Sequence, residues 1–282
     1  MDAGRLWDEL AESLPPLLLG YRSRLDTLVV SAKADQTLLS EADIAVQEHI
    51  VARIRAHDPD AVIVAEESDK PPGNSRVDAR RVWIVDPIDG TAEFVRPDRR
   101  EYCSVVCLLE QRRPVAALVV APQIGVGGST VCVRVAGRGA PIEVNGRAGR
   151  VVPSPGPRRA SVTRSSSLPP RPWERFMSGA GFELKTRTTS QTLDMVRTCV
   201  DLSAETGAQL SPFALFYREA QKVWDGAAGM CLAQTAQLRV CDGQGRDRPI
   251  VDLDLGTAEP TFPSTLVATP ALVDQFLTWS SG

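Results

Sequence analysis

The amino-acid sequence predicts an α/β protein built as a layered sandwich. Apolar segments of strand length alternate along the chain with segments that repeat apolar residues at the helical period, which is typical of layered α/β folds. Some strand-like segments, such as residues 82–85, are wholly apolar and end directly at an acidic residue. Of the 282 residues, 43% are hydrophobic and 24% charged, a globular composition that argues against a disordered chain, a collagen or a coiled coil.

The first half of the chain opens with two helical patterns. Residues 5–21 have a helical period that we expect to be broken near Pro15 and Pro16, because a proline inside a helix removes a hydrogen bond. A clearer amphipathic helix follows Ser40 and ends near His57. Strands are then predicted at residues 61–65, 82–85, 102–109, 115–121 and 129–135, of which the third and fourth form a hairpin.

A proline-rich segment, residues 152–157, is the predicted domain boundary. It separates an N-terminal α+β domain, residues 1–152, from a C-terminal α/β domain, residues 153–282. In the second domain, strands are predicted at residues 160–163, 208–210, 238–241 and 265–268, and helices at residues 173–178, 191–205, 224–235 and from Pro270 onward. A polar loop is predicted over residues 70–81.

The charge balance and the distribution of apolar residues exclude several classes of function. The chain has 32 basic and 35 acidic residues, a formal net charge of -3, so it lacks the basic footprint of a nucleic-acid-binding protein. No apolar run approaches the roughly 20 residues that a membrane span needs. The six cysteines form no C-x-x-C pair, and the N-terminus lacks the features of a signal peptide. We therefore expect reduced thiols in a cytoplasmic protein.

Acidic residues follow buried strands, or begin a helix, at three places in the chain. They are Glu66, the pair Asp86 and Asp89, and Asp225. Sites in α/β proteins commonly form at strand ends, and converging carboxylates repel one another unless a cation lies between them. Hard oxygen ligands without a Cys/His cluster favour Mg²⁺, and two such ions about 3.5–4 Å apart are suited to displacement at phosphorus.

Each acidic residue also has a purely structural interpretation. Asp86-Pro87 and Asp89-Gly90 are common turn dipeptides, and Asp225 could begin a helix as its N-cap. Asp43 completes a capping box with Ser40. Only the joint pattern favours a metal site. A covalent aspartyl-phosphate mechanism is disfavoured, because the carboxylates at 86 and 89 are one residue further apart than in the D-x-D-G-T motif.

Taken together, these motifs resemble the inositol monophosphatase family of Mg²⁺-dependent, lithium-sensitive phosphatases. The string D-P-I-D-G-T occupies residues 86–91, A-E-E-S residues 65–68 and W-D-x-A-A-G residues 224–229. The segment 33–43 resembles the family's K-x-D-x-S/T-x-V-T-x-A-D stretch. The resemblance implies a sugar-phosphatase-like fold with alternating αβαβα layers, a homodimer, and hydrolysis of a small phosphorylated substrate rather than a nucleic-acid polymer or a membrane component.

The resemblance also assigns roles to individual residues. The first Mg²⁺ would be held by Glu66, Asp86, Thr91 and the Ile88 carbonyl, and the second by Asp86, Asp89 and Asp225, with a third, weaker ion near Glu66. Catalysis would use Glu66 and Thr91 to position the attacking water, with Asp43 supporting Thr91. The substrate phosphate would be bound by Asp89, Asp225 and the backbone amides of Gly90 and Thr91.

Two features of the sequence bear on the substrate. The G-T-x-E-F run at residues 90–94 resembles the 3′(2′),5′-bisphosphate nucleotidase branch, so a 3′-phosphonucleotide is the first choice. Inositol phosphate, histidinol phosphate, a sugar or nucleoside phosphate of a specialised pathway, and a non-catalytic dimeric relative remain alternatives. Segment 211–222 departs from the family in being longer and free of glycine. Within it, Arg218 or Lys222 either binds a second anionic group or lies on a solvated helix face.

Overall fold

The computed structural model describes residues 3–32, 38–68, 80–152, 157–164, 169–207, 209–247 and 250–280. Three expectations fall on residues outside these ranges: much of the 33–43 segment, the loop at 70–81 and the centre of the boundary at 152–157. The division into two domains therefore stays a prediction. Among the described helices, none is both long and apolar enough to cross a bilayer.

The first helix, α1 (Ala3–Arg22), runs through both prolines without ending. The predicted break near Pro15 and Pro16 is therefore wrong. An internal proline costs a helix roughly 3 kcal/mol. Here the apolar face of α1 offsets that cost, because Leu6, Trp7, Leu10, Leu14 and Leu18 are fully buried and each large apolar side chain contributes about 1.5–3 kcal/mol on burial.

The second helix begins at a capping box, as the sequence predicts. A short antiparallel pair, β1 (Val30–Ala32) and β2 (Leu38–Ser40), leads into α2 (Glu41–His57). The Ser40 backbone N–H and hydroxyl both donate to Asp43 Oδ2, at 2.8 and 2.6 Å. The helix thus starts and ends where the sequence indicates.

Within the described residues, one sheet has the strand order β3-β4-β5-β6-β7-β8-β9. β3 and β4 are parallel and the other neighbours antiparallel. The strands are β3 (Val62–Ala65), β4 (Arg81–Asp89), β5 (Cys103–Glu110), β6 (Arg113–Ala121), β7 (Val131–Val135), β8 (Ile142–Val144) and β9 (Arg147–Ala148). Every strand predicted in this half is confirmed, including the β5–β6 hairpin, while β8 and β9 were not predicted.

The second sheet has the order β11-β10-β12-β14-β13 among the described residues. Its strands are β10 (Arg159–Ser161), β11 (Glu183–Lys185), β12 (Leu215–Lys222), β13 (Arg239–Cys241) and β14 (Thr261–Ala268). The predicted strand at 208–210 is wrong for residues 209 and 210, which form a bend, and residue 208 lies outside the described ranges. The strand forms later, as β12, which pairs with β14 along its length.

A short helix, α3 (Thr91–Phe94), follows β4 in the first half. The described α-helices of the second half are α4 (Pro172–Gly179), α5 (Gln191–Cys199), α6 (Ser203–Thr206), α7 (Val223–Thr235) and α8 (Pro270–Ser280). The helix predicted over 191–205 is in fact α5 and α6. It is interrupted because Val200 has an extended backbone that bridges to Val151. α7 is buried almost throughout and packs against β4–β6 on one side and β12–β14 on the other.

Five layers follow from these packing partners. α1 and α2 cover one face of the first sheet, α5 and α7 fill the space between the two sheets, and α4 and α8 cover the far face of the second sheet. The central layer is tight, since a Cβ at Gly229 of α7 would lie 2.6 Å from the Met195 side chain of α5. The predicted layered α/β sandwich with αβαβα order is confirmed.

Candidate metal centre

Three buried carboxylates meet where β4 ends and α7 begins. Carboxylate oxygens of Asp86, Asp89 and Asp225 all lie within 4.8 Å of one another. β4 brings the first two together because its register against β5 is irregular between Asp86 and Asp89, around Pro87. α7 supplies Asp225 from its first turn. Like charges this close repel strongly when buried, so the cluster requires a cation or bound protons.

Asp86 is the member of this cluster that lacks a hydrogen-bond donor. Its side chain is fully buried, and neither carboxylate oxygen accepts a hydrogen bond from any residue that the structure describes. Burial raises the pKa of Asp86 well above its ordinary value, and the charges of Glu66, Asp89 and Asp225 raise it further. An unsatisfied buried carboxylate is costly, and a hard divalent cation satisfies both oxygens at once. The residues present therefore fit a metal ion.

Asp89, in contrast, is held by three donors from the start of α5. Ser190 Oγ donates to Oδ2 at 2.7 Å, the Thr192 amide donates to Oδ2 at 2.6 Å, and the Gln191 amide donates to Oδ1 at 3.3 Å. Burial raises the pKa of Asp89 to about 6, although these hydrogen bonds act in the opposite direction. The turn before α5 thus fixes one carboxylate of the cluster.

Asp225 has a single side-chain donor among the described residues. Gln191 Nε2 donates to Asp225 Oδ2 at 2.6 Å. Burial raises the pKa of Asp225 well above its ordinary value, the charges of Asp89 and Glu66 add to the rise, and Arg218 lowers it. The carboxylate therefore lies between repelling neighbours and one guanidinium.

Glu66 lies beside Asp86 at the end of β3. Its backbone N–H donates to the Val85 carbonyl at 3.1 Å, which extends the parallel pairing of β3 with β4 by one residue. The charge of Glu66 raises the pKa of Asp86 and of Asp225. Glu67 has a different environment, because its backbone N–H and carbonyl are bound by the side chain of Gln47. The structure thus brings Glu66 to the cluster from a third element, the end of β3.

Asp43 connects the capping box of α2 to Thr91. While Oδ2 binds Ser40, Asp43 Oδ1 accepts a hydrogen bond from Thr91 Oγ1 at 3.1 Å, with the Ile88 carbonyl also 3.2 Å from that hydroxyl. Burial raises the pKa of Asp43 to about 6. Each carboxylate oxygen of Asp43 thus has its own partner, so the capping box is confirmed and Asp43 also contacts Thr91.

Gly90 makes the turn between β4 and α3. Its φ of 94° lies in the left-handed region, and a Cβ there would stand 3.1 Å from the Glu101 carbonyl oxygen. Glycine is the residue that accepts both constraints. Thr91 follows as the first residue of α3, and Glu93 of the same helix is buried in an ion pair with Arg187.

Arg218 lies on β12, beside the carboxylate cluster. Its Nη1 donates to Thr188 Oγ1 at 3.2 Å and contacts Thr163 Oγ1 at 3.5 Å, while its Nε is buried and has no acceptor among the described residues. Burial lowers the pKa of Arg218, and Asp225 and other acids nearby counteract this. The helix-face interpretation of this segment is wrong, because residues 215–222 form a strand.

The whole chain matches a known protein family. The model of the inositol monophosphatase family covers residues 9–275. The chain belongs to this family. The family consists of phosphatases, so the chain is a phosphoric monoester hydrolase.

Relatives of more than one kind are similar to this inositol monophosphatase family member. The Nus factor SuhB of Xylella fastidiosa (strain Temecula1) is 29% identical over 86% of this chain and 82% of its own length. The 3′(2′),5′-bisphosphate nucleotidase CysQ of Escherichia coli (strain K12) is 30% identical over 77% of this chain and 81% of its own. A solved IMPase/NADP phosphatase complexed with Mg²⁺ and phosphate has a TM-score of 0.75 at 17% identity, over 98% of this chain and 95% of its own.

Sequence reasoning missed the turn at residues 190–192, which touches both Asp89 and Asp225. Ser190 does carry a local signal, because it is the N-cap of α5 and accepts a hydrogen bond from the Leu193 amide at 3.0 Å. A serine before an apolar helical pattern predicts such a cap. Its second partner, Asp89, lies 101 positions away and has no local signal.

Proposed function

We propose that this family member is a Mg²⁺-dependent phosphomonoesterase that hydrolyses a small phosphorylated metabolite, with a 3′-phosphonucleotide of the adenosine 3′,5′-bisphosphate type as substrate. The observation that carries the proposal is the donor-free, fully buried carboxylate of Asp86 among Asp89, Asp225 and Glu66. Such a set of hard oxygens suits Mg²⁺. The IMPase/NADP phosphatase neighbour, which was solved in complex with Mg²⁺ and phosphate, supports the same choice.

Two to three Mg²⁺ ions per subunit would be held by the side chains of Glu66, Asp86, Asp89, Thr91 and Asp225 and by the Ile88 carbonyl. When bound, the ions supply positive charge to the phosphoryl oxygens and to the leaving alkoxide and favour deprotonation of the attacking water. The amides of Gly90 and Thr91 would bind a phosphate oxygen. The homodimer and the cytoplasmic location that the resemblance implies belong to this proposal.

Thr91 and Glu66 would orient the attacking water. The single proton of the Thr91 hydroxyl is directed to Asp43 and the Ile88 carbonyl, so the lone pairs of Thr91 Oγ1 remain to accept a hydrogen bond from water. A water bound in this way presents its oxygen to phosphorus, and Glu66 would accept its proton. Asp43 thus acts through Thr91, by fixing the direction of its hydroxyl group.

Arg218 would bind a second anionic group of the substrate. Among the described residues the hydrogen-bond partners of the guanidinium are hydroxyl groups. Arg218 lines a cavity of about 190 Å³ together with Arg164 and Arg171, which are paired with Glu174 and Glu219 respectively. A buried guanidinium nitrogen without an acceptor favours an anion, and arginine suits phosphate geometry. Lys222, the other candidate, is paired with Glu259. This arrangement favours a bisphosphate, in agreement with the similarity to the bisphosphate nucleotidase CysQ.

The proposal is tested by measuring phosphate release from a panel of substrates with Mg²⁺ present. The panel contains adenosine 3′,5′-bisphosphate, inositol monophosphate, histidinol phosphate and sugar phosphates. We expect the highest kcat/KM for the bisphosphate and no release after chelation of Mg²⁺. If another phosphate has a higher kcat/KM, that compound would be assigned as the substrate instead of the bisphosphate. If no compound in the panel releases phosphate, the result would favour the non-catalytic alternative.

A further inference from the structure

Gln191, the first residue of α5, contacts two of the three clustered carboxylates. Its backbone N–H donates to Asp89 Oδ1, and its side-chain Nε2 donates to Asp225 Oδ2 at 2.6 Å. The two carboxylates come from different elements, β4 and α7. Among the described residues at the start of α5, Gln191 is therefore the one that donates to the carboxylate groups of both.

The orientation of the Gln191 amide is determined by Asp225. When Asp225 is ionised, the opposite orientation would place Oε1 against a carboxylate oxygen, and that contact has no proton to share. Oε1 itself is buried without a donor among the residues that the structure describes. Since no other side-chain hydrogen bond of Gln191 is present in those ranges, the bond to Asp225 alone accounts for the position of the amide.

The backbone of this turn is fixed independently of the Gln191 side chain. Ser190 Oγ caps the helix and donates to Asp89, and the Thr192 amide binds Asp89 as well. Thr192 Oγ1 donates to the backbone carbonyl of Asp225 at 2.9 Å. The side chain of Gln191 thus extends from a fixed backbone. Such an arrangement is effective in holding a metal-binding side chain in one orientation.

We propose that Gln191 is a positioning residue that orients the Asp225 carboxylate for cation binding. This inference rests on the proposed function, in which Asp225 is a Mg²⁺ ligand. Asp89 and Glu66 repel Asp225 when no cation is present, and the hydrogen bond from Nε2 holds one of its oxygens against that repulsion. A hydrogen-bond donor that holds a metal-binding carboxylate in place reduces the reorganisation that metal binding requires. Loss of such a donor typically weakens metal affinity 10–100-fold.

Calorimetric titration of Mg²⁺ into the full chain tests the inference. Gln191→Met keeps the length of the side chain and removes the donor, so we expect the Mg²⁺ dissociation constant to rise about tenfold or more. The metal-free variant should stay folded because the contacts of Ser190 and Thr192 remain. Its melting temperature should fall by about 2–4 °C, the shift expected for the loss of one hydrogen bond. Gln234→Met is the matched control, since Gln234 is exposed on α7, the helix that carries Asp225.

The outcomes separate the inference from the proposed function. Wild-type affinity in Gln191→Met would overturn the positioning role and leave the metal site intact. Absence of Mg²⁺ binding to the wild-type chain would overturn the proposed function and the inference together. Should Gln191→Met fail to fold, Gln191→Ala removes the same donor without adding an apolar group, and the same loss of affinity is expected.

Discussion

Ser190 Oγ donates a hydrogen bond to Asp89 Oδ2 at 2.7 Å, although the two residues are 101 positions apart in the chain. This bond, with the amides of Gln191 and Thr192, stabilises the charged form of Asp89. Asp86, three residues earlier on the same strand, receives no such bond from the described residues, and its pKa is raised well above the ordinary range. The protein thus supplies donors to one carboxylate and none, among the described residues, to its neighbour, which under the proposed function binds a cation.

Asp86→Asn should abolish phosphate release while the protein stays folded. The amide has one oxygen instead of two and no negative charge, so a ligand that would be shared by two cations is lost. The metal-free variant should also melt at a higher temperature, because repulsion from Asp89 and Asp225 disappears. Phosphate release and calorimetric melting measure the two effects. Full activity in this variant would contradict the metal assignment.

The stabilisation that Mg²⁺ provides should increase with pH. The folded-state pKa of Asp43 and of Asp89 is about 6, above the ordinary value of 3.8. Between these values the folded protein binds more protons than the unfolded chain, so the metal-free protein loses stability as pH rises to about 6. Under the proposed function Mg²⁺ competes with the proton of Asp89, one of its ligands. Calorimetry with and without saturating Mg²⁺ should therefore show a small melting-temperature gain near pH 5 and a larger one near pH 7.5. An equal melting-temperature gain at both pH values would be evidence against a coupling between Mg²⁺ binding and proton release.

Arg218→Met should impair recognition of a bisphosphate selectively. Loss of a charged hydrogen bond to the second phosphate should raise KM for adenosine 3′,5′-bisphosphate about tenfold or more. KM for adenosine 3′-monophosphate, which lacks that group, should be unaffected. Steady-state kinetics on the two nucleotides measures this difference, and Arg175→Met serves as control because Arg175 is exposed. Equal changes for both nucleotides would show that Arg218 does not bind the second phosphate.

Lys185→Met should destabilise the fold. Lys185 Nζ donates at 2.6 Å to Asp194, whose side chain is fully buried. Asp194 keeps Ser161 and Arg197 as partners, so the free energy of unfolding should fall by about 2 kcal/mol, less than the roughly 3–5 kcal/mol typical of a buried charge left unpaired. Lys222→Met, which breaks the more exposed pair with Glu259, should cost less than about 1 kcal/mol. Urea denaturation of both variants measures the two costs. A similar loss of unfolding free energy in both variants would show that burial does not determine how much these ion pairs stabilise the fold.

The parts of the site that the sequence predicts correctly are local. Two features, the capping box of Ser40 and Asp43 and the strand that contains Asp86 and ends at Asp89, depend on residues close together in the sequence. Their patterns can therefore be recognised in the sequence alone. Which of the clustered residues bind metal ions stays a prediction.

The features that sequence reasoning missed depend on distant packing. β12 carries charged residues in its second half, so its strand character becomes evident only from its pairing with β14. α1 continues through Pro15 because its apolar face is buried against α2 and β6. The role of Ser190 requires β4 and α5 to meet, which no local pattern indicates.

The carboxylates at 86 and 89 belong to the first sheet, whereas Asp225 begins the helix that follows β12 of the second. An unfolded chain scatters these groups, so a cation that needs all of them binds only the folded form. Under the proposed function, free Mg²⁺ would then govern resistance to proteolysis as well as turnover of substrate. Chelation would shorten the lifetime of the protein before any substrate is present.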